Sequence, residues 1–135
     1  DKRIEKEKEM ALRGDDSELD LWYLERRKEL VGICLFCGGK TTKDDDKFYR
    51  AAIAHLLPKR KNQFPSVACH KNNFLELCLW NNACHQNFDS GMISWEMLKD
   101  SKEWDIIVDK FKAIYPYIAE GERRNIPELL LNTLK

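Results

Sequence analysis

GICLFCGGK, Gly32 to Lys40, sets two cysteines three positions apart and follows them with two glycines. A C-x2-C turn brings both sulfurs to bear on one soft cation, and the glycines allow the left-handed backbone such a turn needs. The stretch has the form of a zinc knuckle, which implies a second pair of ligands elsewhere in the chain. The sequence holds 5 cysteines: Cys34, Cys37, Cys69, Cys78 and Cys84. An odd number cannot pair completely into disulfides, and the chain opens on DKRIEKEKEM, which has no apolar core for secretion. Reduced thiols and a structural Zn2+ on Cys34, Cys37, Cys78 and Cys84 are therefore expected. Two variants stay open at this point: Cys69 with Cys78 as the second pair, or His85 in place of Cys84.

Outward from the knuckle, TTKDDDK is a polar loop and FYRAAIAHLLPK turns apolar and aromatic, as a strand entering a loop at Pro58 would; a short helix remains open. KRKNQFPS is again a loop. NNFLELC reads as a second short strand, and NACHQNFD as the start of a helix with Asn82 as its cap. Knuckle, hairpin and helix in that order describe a treble-clef zinc fold. Before it, Ser17 and Asp20 mark a helix start, and Leu19, Leu21, Trp22, Leu24 and Leu30 supply an apolar face. After it, Ser94 can cap WEMLKD, and Ser101 can cap a longer helix carrying Trp104, Ile107, Val108, Phe111, Ile114 and Ile118. Pro116 should end or kink that helix, and Asn125 with Pro127 begins a last one. The fold class is α+β: residues 1–30 form a charged helical lead-in, 31–95 a zinc-stabilised core, and 96–135 the C-terminal helices packing on it.

The length, 135 residues, suits one domain with a modest core. Hydrophobic residues at 43% beside charged residues at 34% are ordinary for a globular chain, and no apolar run nears the roughly 20 residues of a membrane helix. The expected location is intracellular, cytoplasmic or nuclear, and not secreted, with the chain read as a piece of a longer protein. Net charge is +0, so overall charge does not announce a nucleic-acid partner. Between Lys47 and Ser90, however, Lys47, Arg50, Lys59, Arg60, Lys61 and Lys71 face only Glu76 and Asp89.

Three separated elements of the middle segment carry the chemistry: AHLLP at residues 54–58, NFL at 73–75 and HQNFDSGMIS at 85–94. In this order they resemble the HNH endonuclease family, the ββα-metal nucleases, in its restriction-type branch with A-H-I-x-P, N-x-L and H-x-x-F-D-x-G-x-I-S. The likeness runs from Cys34 to Trp95, and the flanking helices lie outside it. It implies metal-dependent hydrolysis of DNA phosphodiester bonds. His55 would be the general base, Asn73 and His85 would hold a catalytic Mg2+ or Mn2+, and the four cysteines would hold the separate structural zinc. A histidine suits the base, since its ordinary pKa of about 6.5 allows it to accept a proton near neutrality.

Asn72 competes with Asn73, which stands two before Leu75 as N-x-L requires. Asp89 is expected to orient His85 or to cap the turn at Gly91. Lys59, Arg60 and Lys61, following the base on a loop, are candidate phosphate contacts. Two positions depart from the pattern. Ala54 stands where many members carry a metal-binding residue, and Cys78 and Cys84 are spaced C-x5-C where C-x2-C is usual. DNA is the expected partner, with sequence specificity coming from further domains or a partner subunit; a homodimer is allowed and a membrane is not. The competing reading is a catalytically silent zinc module that binds nucleic acid or a protein.

Overall fold

The computed structural model describes residues 16–58 and 62–135. The chain is α+β: a two-stranded antiparallel sheet at the centre, a helix before it and a run of short helices after it. The first helix among the described residues, α1, spans Asp16–Arg27. A 3-10 turn at Tyr49–Ala52 leads into β1, Ile53–Ala54, which pairs with β2, Leu75–Glu76, in the register Ile53 to Glu76 and Ala54 to Leu75. Then come α2 (Cys84–Asp89), α3 (Trp95–Lys99), α4 (Trp104–Ile114) and α5 (Glu128–Leu131). Among the described residues no helix is long and apolar enough to cross a membrane.

FYRAAIAHLLPK gives far less strand than its composition suggests. Only Ile53 and Ala54 find ladder partners; the residues before them close a tight turn, with the Ala51 N–H bonded to the Phe48 carbonyl at 3.0 Å. Alternation across the short ribbon separates two cores. Ile53 joins Trp22, Tyr23, Leu30, Tyr49, Ala52 and Phe74 on the α1 side. Ala54 and Leu75 join the larger core with Leu57, Phe64, Leu77 and the C-terminal Ile107, Phe111 and Leu130. This matches the period of two that any pleated strand imposes.

The knuckle is a small antiparallel loop closed by a bridge between Ile33 and Lys40. The Cys34 N–H bonds the Gly39 carbonyl at 2.7 Å, and the Gly38 N–H bonds the Cys34 carbonyl at 3.0 Å. Gly38 has φ +75°, and a Cβ on Gly39 would sit 2.5 Å from the Asn81 amide nitrogen. Gly38 thus suits the left-handed backbone of the turn, and a side chain at position 39 would make the Asn81 side chain shift from its bond to the Lys40 carbonyl. Glu76 of β2 ties this loop to the sheet. Its carboxylate accepts the Val31 and Gly32 N–H groups, each at 2.9 Å, and the Thr41 hydroxyl at 2.7 Å.

Several local expectations are corrected. The buried face of α1 runs through Trp22, Tyr23 and Arg26, while Leu21 and Leu24 are 56% and 49% exposed. Asn82 does not cap α2: the cap position is Ala83, with φ +49° and no side-chain bond. A left-handed alanine costs about 1–2 kcal/mol. The sharp turn it makes brings the Cys84 N–H to the Cys78 sulfur at 3.5 Å. Ser101 does not cap α4, because its hydroxyl turns back to donate to the Leu98 carbonyl at 2.7 Å and Glu103 takes the cap position. Ser94 does cap α3, accepting the Met97 N–H at 3.2 Å. Pro116 lies in the 3-10 turn Tyr115–Tyr117 that terminates α4. The charged residues 1–15 of the lead-in lie outside the described residues.

Candidate metal centre and histidine cleft

The knuckle supplies Cys34 and Cys37, the end of the β2 segment supplies Cys78, and the first residue of α2 supplies Cys84. Their four sulfurs lie within 4.8 Å of one another. The Cys37 and Cys78 sulfurs are 3.7 Å apart, close to the edge of about 3.8 Å that Zn–S bonds of about 2.3 Å give a tetrahedron. Four cysteines so placed can hold a metal ion such as zinc, and the C-x5-C spacing is accommodated by the left-handed turn at Ala83. Cys69 takes no part; it packs against the core on the α1 side. His85 takes no part either, since its ring nitrogens face elsewhere.

The thiols differ in environment. Burial works against a thiolate at Cys37, but hydrogen bonds from the Asn82 side chain, the Gly39 N–H and the Cys34 and Cys78 thiols outweigh it and bring its pKa down to about 6. Burial pushes the Cys34 thiol up, against opposing backbone bonds from Cys37, Cys78 and Phe36. Burial and the adjoining Cys78 and Cys34 sulfurs push Cys84 up strongly. Such a set has one ready thiolate and further thiols that release their protons in exchange for a cation.

His55 follows directly on β1 and is 7% exposed. Its Nε2 lies 2.8 Å from the Ala68 carbonyl. A carbonyl only accepts, so Nε2 carries the proton in this bond and Nδ1 is the basic nitrogen of the neutral ring. The imidazole lines a cleft of about 280 Å3 together with Pro58, Phe88, Asp89, Trp95 and Glu96.

Asn73 is fully buried at 0% exposure. Its Oδ1 accepts the Leu57 N–H at 2.7 Å, and its Nδ2 donates to the Leu57 and Val67 carbonyls at 3.1 and 3.0 Å. The amide expected to hold an ion is thus bonded on three sides to backbone, bracing the loop just beyond His55. Asn72 is half-buried, and its backbone N–H bonds His70 Nδ1 at 3.1 Å.

His85, one residue into α2, donates from Nδ1 to the Ala51 carbonyl, which leaves Nε2 as its second nitrogen, 3.2 Å from Asp89 Oδ2. Asp89 thus orients the ring from the far end of the same short helix. Burial disfavours the charged ring, but the hydrogen bond to Asp89, the Ala51 carbonyl and the Asp89 charge outweigh it and raise the His85 pKa above the ordinary histidine value. Asp89 lines the His55 cleft and also a second hollow beside it, formed with His85, Ala51, Leu79 and Gln86.

Ala54 is fully buried in the larger core and offers nothing to either hollow. Lys59, Arg60 and Lys61 lie outside the described residues. Three contributors had no mark in the sequence. The carbonyls of Ala51 and Ala68 act through backbone, which no residue type signals. Trp22, whose ring stacks on the His55 imidazole with centroids 4.4 Å apart, reads in the sequence as one more apolar residue of a helix face.

No family model, curated protein or solved structure matches the chain.

Proposed function

We propose that the chain is a metal-dependent endonuclease domain of the HNH type, built on a treble-clef zinc core and hydrolysing DNA phosphodiester bonds. The observation that carries this reading is the position of Asp89. It lines the His55 cleft and the hollow over His85 alike, so a base and a cation site open on one shared carboxylate.

His55 acts as general base through Nδ1, with Nε2–H held by the Ala68 carbonyl. Nδ1 takes a proton from water as the water oxygen bonds to phosphorus and the bond from phosphorus to the leaving oxygen breaks. Asn73, by clasping Leu57, fixes the loop that carries the base, which makes it a positioning residue. His85 Nε2 and Asp89 Oδ2, 3.2 Å apart, would hold the catalytic ion, offering it one imidazole nitrogen and one carboxylate oxygen. A bound Mg2+ or Mn2+ would neutralise charge on the phosphate and on the leaving oxygen. Asp89 therefore substitutes for the acidic ligand missing at Ala54. Lys59, Arg60 and Lys61 would contribute phosphate contacts, and sequence specificity would come from another domain or subunit.

One observation favours the silent zinc module instead: a histidine that is 7% exposed, stacked and hydrogen-bonded is also what a satisfied core histidine looks like. Plasmid nicking in the presence and absence of Mg2+ or Mn2+ separates the two. The nuclease reading expects metal-dependent nicking that His55→Ala abolishes while zinc content and fold persist. Undiminished nicking by His55→Ala overturns it, and DNA binding without any nicking by the unaltered protein establishes the module.

A further inference from the structure

We propose that Trp22, on the helix that precedes the zinc core, is a positioning residue that fixes the orientation and tautomer of His55. This rests on the reading of His55 as the base. The indole and imidazole rings lie nearly parallel, 21° apart in plane with centroids at 4.4 Å. The Tyr23 ring closes the side, edge-on at 6.0 Å and 83°.

Both stacked rings are anchored on one turn. His55 Nε2–H donates to the Ala68 carbonyl at 2.8 Å, and Trp22 Nε1–H donates to the His70 carbonyl at 2.9 Å. The turn is itself braced, since Asn73 Nδ2 donates to the Val67 carbonyl at 3.0 Å and the His70 N–H bonds that same carbonyl at 3.0 Å. Two rings docked in parallel on carbonyls two residues apart cannot rotate independently. A flip of the imidazole would break its bond to Ala68 and remove the acceptor that holds the proton on Nε2.

The stack has a second consequence. The electron-rich face of an indole attracts a cation, so the stack would stabilise the imidazolium that forms as His55 takes a proton more than an aliphatic neighbour would. Two carboxylates, Asp89 and Glu96, share the cleft with His55, and both stay unchanged in the variants below. The helix outside the nuclease-like segment is in this way part of the base. A leucine at position 22 fills space but offers neither a π face nor a donor.

Trp22→Leu and Trp22→Phe test this, with zinc content and a cooperative melt reporting the fold. For metal-dependent cleavage, Trp22→Leu should lower kcat about 10- to 100-fold with KM nearly unchanged. The acid limb of its pH profile should move to lower pH by roughly half a unit. The ring 15N resonances of His55 should shift from a single Nε2–H form towards an average of both tautomers. Trp22→Phe, which keeps a ring to stack, should recover most of the rate. A folded Trp22→Leu protein with an unmoved acid limb and unmoved His55 tautomer overturns the proposal.

The tautomer is read without cleavage, so absence of nuclease activity would remove the reading of His55 as base while leaving the hold of Trp22 on His55 measurable. If Trp22→Leu fails to fold, the unaltered protein decides. Ring-current shielding of the His55 ring protons, and a Trp22 indole N–H that responds to His55 titration, support the proposal; absence of both refutes it.

Discussion

Asn73 holds the backbone of Leu57 in both directions, accepting its N–H at 2.7 Å and donating to its carbonyl at 3.1 Å. Sixteen residues separate the two in sequence. The clasp ties the segment just beyond His55 to the residues that lead into β2. Asn73→Ala leaves the Leu57 N–H and the Leu57 carbonyl without that partner in a buried setting, where each orphaned group costs about 1–3 kcal/mol, while the Val67 carbonyl keeps the His70 N–H. The expected loss of stability by urea denaturation is about 3 kcal/mol or more. Asn73→Asp should be no better, because its carboxylate would face the Leu57 and Val67 carbonyls. Zinc stoichiometry should hold in any fraction that folds, since the hydrogen bonds of the Asn73 side chain go to Leu57 and Val67 and not to the cysteines. A loss below about 1 kcal/mol would mean that the clasp is open in solution.

The cysteine cluster should bind about one zinc per chain. Serine at position 34, 78 or 84 should lower the zinc content sharply and the melting temperature with it, because each supplies a buried sulfur to the same centre. Cys69→Ser should leave zinc content unchanged. A thiol reagent added to the zinc-loaded protein should modify Cys69 first, and chelation should expose the other four. Zinc retained by Cys84→Ser together with zinc lost by Cys69→Ser would reverse the assignment.

His70 gives stability a dependence on pH. Burial, with the charges of Lys71 and Arg26 nearby, holds its pKa below the ordinary value of 6.5, and its Nδ1 accepts the Asn72 N–H. As pH falls through about 6.5 the unfolded chain takes up a proton that the folded chain still refuses. The contribution is therefore fully present above the unfolded pKa and is lost on acidification towards the lower folded pKa. Replacing His70 by Gln should flatten that part of the urea-midpoint profile and make little difference to its slope above pH 7.5. Equal slopes for the two proteins between pH 6.5 and 5 would show that His70 titrates alike in both states.

The sequence by itself determined the features whose physics is local. A C-x2-C turn followed by glycines can do little other than present two sulfurs, and Gly38 and Gly39 meet the conformational and steric demands of that turn. Ser94 caps its helix and Pro116 stops another because both effects act within one turn of chain. His85 and Asp89, four apart, face each other as any i, i+4 pair on a helix does.

Tertiary structure decided the rest, and for a common reason: the partners are distant in sequence or are backbone atoms with no residue-type signature. Composition could not show that only two residues of the FYRAAIAHLLPK segment would find a ladder, because pairing depends on where β2 arrives. Nor could it tell which leucines of α1 turn outward, since that depends on which side of the helix the core of Tyr49, Ala52, Ile53 and Phe74 meets. Cys84 was separated from Cys69 and His85 as the candidate fourth ligand by a left-handed alanine that no propensity favours. The environment of His55 came from three remote places: an indole on α1, a carbonyl at Ala68 and a loop braced by Asn73. Order along the chain suggested which residues belong together, and long-range packing chose which of their atoms point at the cleft.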